Sequence, residues 1–340
     1  MSLCAWLARL DYQQWARECR HFISNIELTT YACQLNNTVK THKPAGRLSV
    51  RLLDNFAGSA LLGLSGVVDR LLVEAAQNRF PHLATSSDDV QDFLRDKVFP
   101  HTIQLYKADI AEFFLSGEHD FLIRHACSLF LDKALRSWID HALHYLLHYQ
   151  AATFEGIFYK VYKGNGMGNR HSGSLASFAF AIGVEEPFLK DCRIHNRGLH
   201  GFLRYFDDIL FMCEDSMAGD LILALLRRWA SPQFSIQLDA SSPVSVQMLD
   251  MHLHKIRCGP SSPDCRIAWR PYVKPTSRHL PLHHHSFHHS SVHKSWALAE
   301  MLRMFRRSSR LFEFERAREL KLQRWAYFFM HKSLLDACRA

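Results

Sequence analysis

Gly201-Phe202-Leu203-Arg204-Tyr205-Phe206-Asp207-Asp208-Ile209-Leu210-Phe211 sets two adjacent carboxylates between two short apolar runs. Runs of this length and aromatic content predict strand, turn, strand, with the acids at the tip. Neighbouring carboxylates repel one another unless a cation compensates them. An Asp-Asp pair is also ordinary turn chemistry, so a catalytic or metal-binding reading needs a partner elsewhere in the chain.

Upstream, His101-Thr102-Ile103-Gln104-Leu105-Tyr106-Lys107-Ala108-Asp109-Ile110-Ala111-Glu112-Phe113-Phe114 alternates like a strand that stops at an acid. Asp109 could project from a strand beside the first pair, or it could be the N-cap of a following helix. Carboxylates brought together from two strands can bridge two Mg²⁺ ions about 3.5–4 Å apart, the arrangement used for in-line displacement at phosphorus. Between the two acid motifs lies Lys163-Gly164-Asn165-Gly166-Met167-Gly168, followed by Asn169, Arg170, His171 and Ser172. Its glycines permit close backbone approach to a ligand, and the loop opens a helix expected over 172–190. It lacks the Lys-Ser/Thr ending of a Walker loop and the βαβ setting of a dinucleotide fold.

Working outward, residues 1–30 are expected to be helical and YACQLNNTV (31–39) to be a strand. Pro44 and Gly46 punctuate a basic turn. A helix is expected over LLGLSGVVDRLLVEAAQ, and Ser86, Ser87 and Asp88 resemble caps for the next helix. Leu135, Trp138, Ile139, Ala142, Leu143, Leu146 and Leu147 follow at helical spacing, and SMAGDLILALLRRWA predicts another helix. QFSIQLD reads as a strand, then VQMLDMHLHKIRC and RIAWRPYVK as a hairpin. The order predicts an α+β fold with an antiparallel sheet backed by helices. In the C-terminal helix, Leu298, Met301, Leu302 and Phe305 share one face, and Arg303, Arg306, Arg307 and Arg310 share another.

With 340 residues, 48% hydrophobic and 12% aromatic, the chain can bury a core. Its net charge of +8, with 22 His, fits a polyanionic partner. Nine Cys without a CxxC fit a reducing compartment. The N-terminus lacks the form of a secretory signal, and no apolar run reaches the ~20 residues of a membrane span. The expectation is an intracellular protein, nuclear or cytoplasmic. His283, His284, His285, His288, His289 and His293 could bind a transition metal, but their spacing matches no finger, and a basic loop near nucleic acid is the favoured reading. Cys192, His195 and His200 read as incidental in a connection.

The succession KADIAEFF, KGNGMGNRHSG, RYFDDIL and VQMLDMHL resembles motifs A, B, C and E of reverse transcriptases. The flanks KTHKPAGRLSVR and YVKPTSRHLPLHHHSFHHSSVHKSW resemble those of Penelope-like retroelement enzymes, so the resemblance spans about residues 35–310. It implies a right-hand polymerase: fingers over 1–99, palm over 100–273, and a basic helical thumb or connection over 274–340. It also implies an RNA-directed DNA polymerase that extends a primer on an RNA or DNA template with dNTPs, using two Mg²⁺ for which Mn²⁺ could substitute. Asp109, Asp207 and Asp208 match the catalytic acids, with Asp109, Ile110 and Asp207 at the metal and Asp208 in support. Phe114 matches the sugar-discriminating position. Lys40, Lys43 and Arg51 match triphosphate contacts, and Gly164, Met167 and Gly168 match the loop over the nascent base pair. Arg303, Arg306, Arg307 and Arg310 would grip the nucleic acid backbone. Two departures stand out: Asn169-Arg170-His171-Ser172-Gly173 replaces a Ser-Pro-Leu-Ser-Pro-like continuation, and no motif D lysine is evident. A domesticated copy that binds nucleic acid without extending it is the alternative.

Overall fold

The alternating stretch around Asp109 forms the strand β4 (Gln104–Ala111), which is central in a sheet of four. The computed structural model describes residues 32–39, 50–55, 61–154, 157–272, 282 and 286–327. Lys40, Lys43, the helix expected over 1–30 and His283–His285 lie outside the described residues. The sheet runs β7 (Leu199–Tyr205), β8 (Asp208–Cys213), β4, β9 (Ser235–Ser242), with every pair antiparallel.

Period-two alternation assigns the two faces of this sheet to two different cores. Tyr106, Ala108, Ile110, Ile209, Phe211 and Cys213 are buried on one face. There they join residues of the helices α1 (Leu62–Ala76), α3 (His119–Cys127), α4 (Lys133–His148), α5 (Ser172–Phe180) and α7 (Ser216–Ala230). Leu105, Leu203, Leu210 and Met212 point the other way, into a second core. That core is closed by α2 (Ser87–Leu94) and by a second sheet of β10 (Ser245–Met248), β11 (Met251–Arg257), β12 (Asp264–Pro271) and the short β3 (Phe99–Pro100). Lys107, Asp109 and Asp208 share the second face but lie nearer the β7–β8 turn, where they stay partly exposed.

A third sheet, in the order β2 (Val50–Asn55), β1 (Ala32–Val39), β5 (Ala151–Phe154), β6 (Ile157–Lys160), carries Arg51 opposite Thr38. The expected strand VQMLDMHLHKIRC is two strands, because Leu249 (φ +54) and Asp250 make a two-residue turn that pairs Met248 with Met251. The helix expected over 172–190 continues to Ile194, as α5, a π-helical turn at Ala181–Glu185, and α6 (Glu186–Ile194). Pro187 follows that turn closely and has no N–H to give to an α-helical ladder.

At the C-terminal end, α8 (Ser290–Arg306) packs on α9 (Leu311–Tyr327). The buried stripe is Ala297, Met301 and Met304 with Leu322 and Trp325, whereas Leu298, Leu302 and Phe305 are exposed. The apolar face expected from sequence is therefore rotated: of its four members only Met301 faces inward. His289 caps α8 by accepting from the Ser291 amide, and His293 donates to the Ser286 carbonyl. No described helix is long and apolar enough to cross a membrane.

Candidate active site

Register places Asp109 directly opposite Asp208 on β8 and opposite Gln237 on β9, so Asp109 and Asp208 project from one face at the end of neighbouring strands. Asp109 lies within the strand and caps no helix, which removes the alternative left open by the sequence. The β9 ladder slips between Lys107 and Ala108, which leaves Asp239 as an extra, bulged residue between Leu238 and Ala240. The bulge brings a third acid to the site: one oxygen each from Asp109, Asp208 and Asp239 lie within 4.8 Å of one another. Asp239 was not singled out from sequence, since a bulge leaves no mark in a hydrophobic alternation.

Asp207 occupies the turn beside this trio, and its carbonyl accepts from the Ile110 amide at 2.9 Å. Burial, then the carboxylates of Asp207, Asp239 and Asp208, push the Asp109 carboxyl up to about 6. Lys107 answers part of this charge, donating to Asp208 and Asp239 at 2.9 Å each. Against its own burial, those two carboxylates hold its ammonium above the ordinary lysine range. Clustered hard oxygen donors of this kind are a set suited to Mg²⁺ or Mn²⁺.

Arg204 fixes the turn from beneath. Fully buried, it makes a two-pronged ion pair with the equally buried Glu185, at 2.7 and 3.0 Å. Its remaining N–H groups donate to the Phe206 carbonyl at 2.7 Å and the Ser177 carbonyl at 2.9 Å. His82 donates to the second Glu185 oxygen at 3.1 Å. The π-helical turn ends at Glu185, and Phe206 takes a left-handed φ of +49, so two uncommon backbone features meet at this one guanidinium.

The glycine loop lies on the segment that follows Asp109. Asn165 donates to the Phe114 carbonyl and Gly164 to the Gly117 carbonyl, each at 2.9 Å. A side chain at Gly164 (φ +70) would put its Cβ 2.5 Å from the Leu115 backbone. The half-buried Phe114 ring sits 6.1 Å from Phe206, whose own ring is against Gly173. Met167 is half-buried and Gly168 exposed above this layer. Below it Asn165, Asn169 and His171 are buried, with Asn165 Oδ1, both Asn169 amide atoms and His171 Nε2 lacking partners among the described residues. Burial drives the His171 imidazole down to about 4, so it stays neutral.

The four arginines divide. Arg303 pairs with Glu300 and Asp250, and Arg307 with Asp250 and Asp88. Arg306 and Arg310 are exposed and carry no ion pair among the described residues. Cys192 is buried, and His195 meets Asp191. The acid trio is the one metal-competent group among the described residues.

No protein-family model matches the chain, and no curated protein matches its sequence. Solved structures do. The RNA-dependent RNA polymerase of a human picorbirnavirus superposes with a TM-score of 0.58 at 10% identity, covering 89% of this chain and 56% of that one. Telomerase from Candida albicans, in complex with a fragment of telomeric RNA, gives 0.57 at 10% identity, covering 86% and 55%. This is the right-hand polymerase fold. The chain spans little more than half the length of either polymerase.

Proposed function

We propose that this chain is a reverse transcriptase, an RNA-directed DNA polymerase of the Penelope-like retroelement kind. The observation that carries the reading is the register of Asp109 against Asp208 on the partly open face of a right-hand palm, with Asp207 hydrogen-bonded through its backbone to Ile110. The reaction is attack of a primer 3′-hydroxyl, which gives up its proton, on the α-phosphate of a dNTP paired to an RNA or DNA template, forming the phosphodiester bond as the bond to the β-phosphate breaks and pyrophosphate leaves. Asp109 and Asp207, with Ile110 beside them, would hold two Mg²⁺. These ions supply neutralising charge at the attacking and leaving oxygens. Asp208 and Asp239, tied to Lys107 when no metal is bound, would support these ligands from within the same acid cluster. Arg204 keeps the Asp207 backbone in place through the preceding carbonyl. Phe114 would lie under the sugar and Gly164, Met167 and Gly168 would cover the new base pair, and the resemblance assigns Lys40, Lys43 and Arg51 to the triphosphate. In domain terms the fingers, palm and thumb take residues 1–99, 100–273 and 274–340.

Lys107 also favours a second reading, a domesticated binder, because an ammonium already neutralises two of the clustered acids. One experiment separates them: extension of primed RNA and primed DNA by the purified chain with Mg²⁺ or Mn²⁺, beside Asp109→Asn and Asp207→Asn. Extension by wild type alone is expected. Strand binding without extension under any metal would leave the second reading.

A further inference from the structure

The second sheet has two unlike edges. β10 packs against β4 and β9, the strands that bear Asp109 and Asp239. Two strands further on, beyond β12, a groove of about 760 Å³ opens between α2, β12 and the turn that joins α8 to α9. Four arginines line it: Arg95, Arg266, Arg306 and Arg310. Arg95 is shared with Asp92, and the Asp88 carboxylate in the wall is taken by Arg307. Arg266, Arg306 and Arg310 are exposed and have no ion pair among the described residues. Three guanidiniums without an ion pair among the described residues thus line one concavity, Arg266 from β12, Arg306 from the end of α8 and Arg310 from the turn after it, whereas the nearby Arg303 and Arg307 are paired with acids.

We propose that this groove is a phosphate-binding track for a strand of nucleic acid held outside the catalytic cleft. A guanidinium presents a rigid fork of donors that matches phosphate oxygens, and three of them lining one groove suit a repeating polyanion better than a single charge. Trp269, only 8% exposed, lines the same wall with its indole N–H unpartnered among the described residues. Phe305 stands exposed at the groove, an aromatic face for a sugar or an unstacked base. Contacts of this kind grip a backbone without reading its sequence. The inference rests on the polymerase reading only for the class of ligand.

The test is equilibrium binding of a fluorescent RNA strand and of a primer–template to the full chain, without metal or dNTP, across a salt series. Arg266→Gln/Arg306→Gln/Arg310→Gln should weaken binding and flatten the log–log salt slope by roughly two to three units, a little under one per contact. The matching Lys variant, which keeps the charges, should recover most of the slope and guards against a folding defect. Arg124→Gln/Arg193→Gln/Arg228→Gln removes equal charge from the helical side of the palm and should change the slope far less. An unchanged slope in the groove variant, or an equal change in the control, would overturn the proposal. So would loss of mononucleotide binding with strand binding intact, which would make the groove a small-ligand pocket. A chain that extends no primer yet shows the slope change would sink the polymerase reading and leave the groove standing.

Discussion

Arg204 reaches the carbonyl of Phe206 at 2.7 Å while its other prong is locked to Glu185. The residue that follows Phe206 is Asp207, so a buried ion pair sets where the acid turn sits. Arg204→Met should cost about 3–5 kcal/mol, because it leaves the fully buried Glu185 carboxylate without its cation. Arg204→Met/Glu185→Met should recover much of that stability and not the rate of extension, since the Phe206 carbonyl still lacks its donor. Chemical denaturation and single-turnover extension measure the two effects separately; equal recovery of both would make the pair structural only.

Asp109 gives a pH signature in the absence of metal. Its folded-state pKa of about 6 exceeds the ordinary 3.8, so the folded state binds the extra proton and loses stability as pH rises between those values. Asp109→Asn should therefore be the more stable protein above about pH 6 and equal to wild type below about pH 4. The full gap corresponds to about 3 kcal/mol, and solvent screening of a half-buried group reduces it to about 1. Saturating Mg²⁺ should reverse the order at neutral pH. Melting curves at several pH values, with and without metal, check both signs.

Lys107 competes with any cation for Asp208 and Asp239. Lys107→Met should lower the metal-free melting temperature, since Asp208 and Asp239 lose their paired cation beside Asp109. The rise in melting temperature on adding Mg²⁺ should be larger than in wild type. An equal rise in both proteins would mean that the ammonium and the metal do not share these acids.

Phe114 tests the sugar gate. If its ring excludes a 2′-hydroxyl, Phe114→Ala should raise kcat/KM for rNTPs relative to dNTPs, since discrimination by excluded volume goes with the ring. A purely structural ring predicts a stability loss of about 3–5 kcal/mol and an equal fall for both substrates. Comparing the two ratios in a variant shown by its melt to be folded decides the matter.

Arg303 and Arg307 should behave unlike their neighbours. Each holds α8 to Asp250 at the β10–β11 turn, so either replacement by Gln should destabilise by about 1–3 kcal/mol. Neither should change the salt slope of strand binding. A slope change with unaltered stability would reverse these roles.

Much of the fold was legible because its strands and helices carry clean periods. The alternation through Asp109 predicted the right element, and the 3.6-residue spacing from Leu135 to Leu147 predicted a helix whose stripe from Trp138 to Leu147 is buried. The short β5 and the helix α3 were missed, as both are too brief and too mixed in polarity to stand out. At the site, Asp109 and Asp208 were visible as motif residues, and their register confirms that they are neighbours. Asp239, Lys107 and the Arg204–Glu185 pair were not, because each depends on a bulge, a cross-strand contact or a π-helical turn with no local signature. The arginine face was legible as charge, but which members remain unpaired was decided by Asp250 and Asp88, distant in sequence.

The bulge at Asp239 makes the acid count of this site a matter of one residue. Removing a single residue from β9 would restore an unbroken ladder beside Lys107 and withdraw the third carboxylate, while Asp109 and Asp208 kept their pairing on β4 and β8. Inserting it again would return the acid. The site's charge can thus be retuned by length variation in a peripheral strand, a route that point substitution within the two central strands does not offer.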